Sequence, residues 1–348
     1  MEKSELAKKK TKHMKNFWEE IKRPILALAP MAGITDSAFR TIARKYGASV
    51  TYSEMASASA LFFKPEKTLH LLDFKKAEKP YVVQLFGKNP EHFARATKLV
   101  SEKIKPDGID INFGCPAKKV FSHGSGCALM LDSKLSREII QAVIKNTSLP
   151  VSIKIRAGVK DVTALDFVEN IKNLDWKAIM VHGRTYEEKF AGEADFKIIE
   201  KIKALVPNKL VLANGGITTP EEGAKILIQY PTFDGIGIAR GALGRPWIFQ
   251  EIKDLLGRHC EESHSFKKKN EKTWQSRDCF ATLAMTKKIA LEHAALIVKT
   301  KNDRGILEIR KHLIWYFKGF SGAKEMRQKL VQAQNLSEIK KILENTPT

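Results

Sequence analysis

A short apolar run, Gly108-Ile109-Asp110-Ile111-Asn112, leads straight into Gly114-Cys115-Pro116. Glycine before and proline after leave Cys115 in a backbone that is free on one side and fixed on the other. A lone thiol at a strand end can be a reactive group or a small buried hydrophobe, and this fragment leaves both readings open. Chemistry-bearing residues recur at the ends of similar runs. Ala29-Pro30-Met31-Ala32-Gly33 follows Ile25–Leu28, Gln84 lies in Tyr81–Leu85, and Lys154 lies inside Val151–Ile155. His182 closes Ala178–His182, Asn214-Gly215-Gly216 closes Leu210–Asn214, and Ala239-Arg240-Gly241 follows Gly235–Ile238. A lysine within a buried strand has to face something anionic, because an unpaired buried charge is costly. The two glycine-rich loops suit a phosphate. The small residues at 29–33 let a planar ring approach the backbone, and Gln84 can bond the amide edge of such a ring. The set suits a flavin, with Lys154 at its N1/C2=O edge.

These groups need a scaffold that gathers strand ends. Eight β-rich runs, the seven above (counting Gly108–Asn112) and Ser49–Ser53, alternate with amphipathic stretches at Pro90–Ile104, Ser136–Lys145, Ala164–Leu174, Phe196–Leu205 and Pro220–Ile228. That alternation predicts an α/β fold, a (β/α)8 TIM barrel whose active groups sit on the loops after the strands. An open doubly wound sheet is disfavoured by the eight runs and by the lack of a GxGxxG after the first. Past Trp247 the character changes, and helical spacing at Ile289, His293, Leu296 and Ile297, then Ile306, Ile309 and Leu313, predicts a C-terminal all-helical domain. The expected organisation is a basic N-terminal extension at 1–23, a barrel at 24–257, a linker at 258–285 and a helical domain at 286–348. The interval Arg258–Met285 reads as an insertion, its ends HCEES and DCFATLAMT resembling translated interspersed repeats.

The chain has 348 residues and a formal charge of +21. Such an excess favours a polyanionic partner, nucleic acid or an acidic membrane surface. No run of eighteen apolar residues is present, so no membrane-spanning helix is expected. Four cysteines without CxxC spacing give neither a disulfide framework nor a metal site, and a reducing cytoplasm is the expected location.

The segments LAPMAGITDSAFR, DINFGCPAKKV, SIKIRAGV, VHGRT, LVLANGGI and GIARGALGRPWIF resemble the flavin-dependent tRNA-dihydrouridine synthases, B-type branch, over roughly residues 24–250. A weaker echo runs through Ile309–Tyr316. The resemblance implies FMN contacts at Pro30, Met31, Ala32, Gln84, Lys154, His182, Asn214, Gly215, Gly216, Ala239 and Arg240. It implies Cys115 as general acid, NADPH (or NADH) as reductant, and tRNA held partly by the helical tail, with no metal. Asn112, Lys118, Lys119, Arg156, Arg184, Arg304, Arg310 and Lys311 are expected on the RNA side, and the N-terminal lysines are expected beside the barrel mouth. A monomer is expected. The sequence departs from the family pattern in the loops Val120–Gly126 and Tyr186–Phe190 and in the lengthened interdomain connection. Rival readings are a flavin barrel acting on a small pyrimidine, as dihydroorotate dehydrogenases do, a non-catalytic RNA-binding barrel, and the same chemistry on ribosomal RNA.

Overall fold

The structure, a computed structural model, describes residues 16–265, 282–320 and 322–345. Its centre is a closed barrel of parallel strands β1 (Ile25–Leu28), β2 (Val50–Ser57), β3 (Tyr81–Phe86), β4 (Gly108–Phe113), β5 (Val151–Arg156), β6 (Ala178–His182), β7 (Leu210–Asn214) and β8 (Gly235–Ile238). Neighbours in sequence are neighbours in the barrel, and β1 closes it against β8. At that seam Ile25 pairs with Gly235. A Cβ on Gly235 would lie 2.0 Å from the Ile25 carbonyl oxygen, so no larger residue fits.

The period-two alternation of the strands sorts their side chains into two packed sets. Ile25, Ala27, Val50, Tyr52, Val82, Ala178, Met180, Leu210 and Leu212 fill the interior. Leu26, Leu28, Val83, Leu85, Ile109, Ile111, Ile153 and Val211 pack against the surrounding helices. Those helices include Pro90–Lys103, Ser133–Lys145, Ala164–Ile171, Phe196–Leu205 and Pro220–Gln229. Each begins where a side-chain oxygen takes up free N–H groups of the first turn: Asn89, Asp132, Thr163, Asp195 and Thr219. Strand β2 outruns its expected end at Ser53, with a register shift between Tyr52 and Met55 against β3. An irregularity of this kind re-aims side chains beyond it.

The floor of the barrel is laid by the N-terminal segment. Trp18, 1% exposed, packs among Ile25, Val50, Val82, Ala178 and Leu210, at the strands' N-terminal ends. Phe17 lies against Gly108, where a Cβ would come within 3.0 Å of its ring. Residues 16–23 are therefore part of the barrel, on the end opposite the mouth, and not an appendage beside it. Residues 1–15 lie outside the described residues.

Helices Leu283–Lys301, Asp303–Tyr316, Ala323–Gln332 and Leu336–Asn345 build the C-terminal unit. Its core of Ile289, Ile297, Ile309, Leu313, Phe317, Leu330 and Ile339 also takes in Ala38, Ile42 and Trp247 of the barrel. The contact is close enough that a Cβ on Gly244 would lie 2.1 Å from the Trp315 carbonyl oxygen. Lys301 Nζ reaches Asp36 Oδ2 (2.8 Å) and Glu308 Oε2 (2.5 Å), and Lys45 pairs with Glu292 (2.7 Å). The helix Ile248–Ser265 crosses the expected boundary at 257/258 without a break. Most of the expected insertion, residues 266–281, lies outside the described residues.

Candidate active site

The barrel's inward residues turn polar toward the strands' C-terminal ends. Asp110 is fully buried there, accepting from Ser152 Oγ (2.6 Å) and from Gln84 Nε2 (2.8 Å). Gln84 Oε1 in turn accepts from Asn112 Nδ2 (2.9 Å). Asn112 Oδ1 accepts the backbone N–H groups of Gly114 (3.0 Å) and Cys115 (2.9 Å), so one amide side chain brackets the cysteine turn to the strand below it. Burial raises the Asp110 carboxyl to about 6, against the pull of its two donors and of Lys154.

Above this layer opens a pocket of about 300 Å³. Pro30, Met31, Ala32, Gln84, Asn112, Cys115, Lys154, Arg156, His182, Arg184, Asn214, Gly215, Gly216, Ala239 and Arg240 all line it. The structure thus brings together every residue expected at the cofactor, with Cys115 and three of those expected on the RNA side. Lys154 Nζ donates to Asn214 Oδ1 (3.1 Å), whose Nδ2 donates to the Gly237 carbonyl (2.6 Å). Burial, then the charge of Arg156, lowers the Lys154 ammonium to about 8. Burial, then Lys154, Arg156, Arg184 and Arg240, drives the His182 imidazole down to about 2, so it is neutral at physiological pH. Gly215 and Gly216 both have positive φ (+106° and +71°), and a Cβ on Gly215 would lie 2.5 Å from His182 Cδ2. Only glycine lets the backbone pass there.

The cations split by partner. Arg156 is buried and donates to the carbonyls of Gly114 (3.1 Å), Thr185 (2.9 Å) and Lys189 (2.6 Å). Arg184 donates twice to the Gly192 carbonyl (2.9 and 2.7 Å). These two therefore tie loops together. Lys154 and Arg240, lining the same pocket, stand beside the glycine turns and could hold an anionic, flat ligand carrying a phosphate. Arg240 also lies 4.8 Å from the ring centre of Phe190.

Cys115 is partly exposed at the pocket wall, whereas Cys127 is fully buried and its thiol is pushed up to about 12 by burial. Cys127 N–H donates to the Cys115 carbonyl (3.3 Å). Gly126 (φ +62°) lies so close that a Cβ would come 2.9 Å from that same carbonyl.

The remaining residues expected at RNA lie elsewhere. Lys118 and Lys119 are exposed on the short helix Lys118–Ser122 that follows Cys115. Arg304 is exposed and paired with Glu308 (2.9 Å). Arg310 turns inward to the Ala333 carbonyl (2.7 Å), and Lys311 bonds the Gly33 carbonyl, joining the tail to the loop after β1. Arg304 and Arg310 thus do not form one shared face.

A family model described as dihydrouridine synthase matches residues 27–347. The chain belongs to the dihydrouridine synthase family. Among similar relatives, "tRNA-dihydrouridine synthase B" of Pseudomonas aeruginosa is 35% identical over 318 residues, covering 89% of this chain and 89% of that protein. "Probable tRNA-dihydrouridine synthase" of Mycobacterium leprae is 31% identical over 344 residues, covering 90% and 85%. Among solved structures, histamine dehydrogenase from Rhizobium sp. 4-9 shares the fold at a TM-score of 0.52 and 15% identity, over 67% of this chain and 46% of that one. In this dihydrouridine synthase family member the pocket also takes in Met55 and Phe190, which sequence reasoning missed, and stands on Asp110, missed as well. Asp110 could have been found from its spacing, two residues before Asn112 on the same inward face. Phe190 lies on a loop, where no periodicity marks it.

Proposed function

We propose that this enzyme reduces uridines of tRNA to 5,6-dihydrouridine, with FMN in the pocket, NADPH as the source of electrons and Cys115 as the proton donor. The observation that carries the reading is the shared pocket: a partly exposed thiol on one wall, a lysine and glycine cradle on another. When bound, FMN supplies hydride to C6 of the uracil ring. C5, conjugated to the C4 carbonyl, must then take a proton. A thiol at the pocket wall can supply one. Asn112 and Arg156 fix the turn that carries it, through the Gly114 and Cys115 N–H groups and the Gly114 carbonyl. Lys154 and Arg240 supply positive charge for the ring's anionic edge and for the phosphate. Neutral His182 offers a hydrogen-bonding ring without adding a further charge. The base has to leave its stack to enter, which is least costly for an unpaired loop nucleotide.

The test is to incubate unmodified tRNA transcript with the purified protein, FMN and NADPH, then weigh the nucleosides by mass spectrometry. Uridine gaining two hydrogens is the expected result. Cys115→Ala should keep bound FMN and lose about 10²–10⁴-fold in rate. Reduction of a free pyrimidine with no gain in tRNA would overturn the proposal.

A further inference from the structure

We propose that an aromatic cluster on the rim of the barrel mouth, exposed Phe63 held by half-buried Phe62 and His92, is a stacking platform for an unpaired base of the RNA whose uridine enters the pocket. The inference rests on the functional reading above. Phe63, 68% exposed, is the most exposed large apolar side chain among the described residues, and it stands in contact with two further rings rather than alone.

The cluster sits beside the pocket. Met55 of β2 lines the pocket, and two residues on, Ser57 Oγ caps the helix Ala58–Phe63 by accepting the Ala60 N–H (3.2 Å). Six helical residues carry the chain about 9 Å from that lip. His92 belongs to the helix that follows β3, the strand of Gln84, and so lies at the same end of the barrel. Lys88 packs against Gly124 of the cysteine loop, where a Cβ would stand 3.5 Å from its side chain. The rim is thereby continuous from the aromatic cluster to the turn that carries Cys115.

The rings are held in place before any partner arrives. Ser59 Oγ bonds His92 Nδ1 (2.9 Å). Phe62 lies 4.3 Å from the His92 ring at 33°, with the Arg95 guanidinium 4.8 Å from its centroid. Phe63 meets Phe62 at 75° and His92 at 79°, so it stands across both rather than stacked on either. A ring so oriented and so exposed offers a flat face to solvent. The Arg95 guanidinium stands over Phe62, and exposed Lys64, Lys67 and Lys88 lie on the segments that carry the three rings, against exposed Glu66 and Glu91. One open ring inside a cationic surround fits a base with its phosphates better than it fits an apolar protein face, which needs a wider uncharged area.

The experiment compares the flavin-loaded wild type with Phe63→Ala and Phe63→Trp, measuring affinity for a full-length tRNA transcript by fluorescence anisotropy. Phe63→Ala should bind roughly 5- to 150-fold more weakly, the range of one stacked base. Phe63→Trp should restore binding, which a merely structural role for the ring would not predict. Bound FMN and melting temperature should match the wild type. If wild type reduces tRNA uridines and Phe63→Ala binds as tightly as it does, the platform is refuted while the function stands. If wild type neither binds nor reduces RNA, the functional reading fails first. Loss of self-association in Phe63→Ala, with RNA affinity unchanged, would assign the patch to a protein partner and also overturn the proposal.

Discussion

Cys115 and Cys127 are twelve residues apart and meet opposite surroundings. The first opens on the pocket, while the second is packed where a thiolate would be strongly disfavoured. Cys127→Ala should therefore keep nearly full turnover at some cost in melting temperature, and an inactive Cys127→Ala beside an active Cys115→Ala would reverse the assignment. Lys154 makes a pH prediction. Its ammonium is lowered from 10.5 to about 8 in the folded protein. Between those values the unfolded chain holds a proton that the folded one has released, so this group's contribution to stability rises with pH across that window. Anion binding runs the other way, since it needs the ammonium. FMN affinity of the apoprotein should fall as pH climbs past about 8, and the fall should flatten in Lys154→Met. Equal slopes in both proteins, measured by flavin fluorescence titration, would contradict this. Cys115 and Lys154 were legible in the sequence as pocket residues because the first sits in a Gly-Cys-Pro turn just past an apolar run and the second interrupts one. Asp110 interrupts the run that precedes Cys115, yet its meaning depends on Gln84 and Ser152 from the two flanking strands, partners that only the register of β3, β4 and β5 reveals.

The elements were legible where local signals agree. Strands β1, β6, β7 and β8 begin and end where their apolar runs do. The helix expected from Ser136 starts at Ser133, because Asp132 takes the Leu135 N–H and adds a turn that apolar spacing does not show. The extension of β2 past Ser53 follows from its irregular pairing with β3, a tertiary fact. The turn that presents Cys115 yields a prediction of its own. Gly126 has φ +62° and no room for a Cβ against the Cys115 carbonyl. Gly126→Ala should cost roughly 1–2 kcal/mol in strain. It should also lower turnover while leaving FMN bound, because the displaced atoms belong to the cysteine turn and not to the glycine cradle. Absorbance of bound flavin and single-turnover rates separate the two effects. Normal turnover in Gly126→Ala would show that the turn tolerates displacement. Arg156 belongs to this scale too. Expected as an RNA contact, it lines the pocket while its Nε and Nη1 donate to three carbonyls from two loops, and a motif string carries no sign of that.

At the scale of the molecule the tail and the barrel share a core. Ala38, Ile42 and Trp247 are buried by tail residues, so cutting the tail away would strip apolar surface of the barrel as well. A point change at the joint is the cleaner probe. Asp36 is held below the usual carboxylate range: burial raises its carboxyl, but the charge and hydrogen bond of Lys301 outweigh that. Lys301→Met removes the partner and should lower stability by roughly 1.5–3 kcal/mol, as for a lost charged hydrogen bond. Chemical denaturation would read it, and an unchanged midpoint would mean that the joint is held by packing alone. The division into barrel and helical tail was legible from the change of pattern past Trp247. The joint was not, because Gly244 against Trp315 and Asp36 against Lys301 are contacts between segments far apart in the chain.

The seam between β1 and β8 has a bearing on how this chain is made. Ile25 leaves the ribosome roughly 210 residues before Gly235, its partner in the finished barrel. At typical synthesis rates that is a wait on the order of 10–40 s. For that time β1 has an unpaired edge, a template for wrong pairing. Helices on the outer face can form meanwhile, but the ring cannot close. A nascent chain halted before Gly235 should be found with chaperones or in aggregates, and one that stayed soluble and monomeric would show that the open sheet protects its own edges.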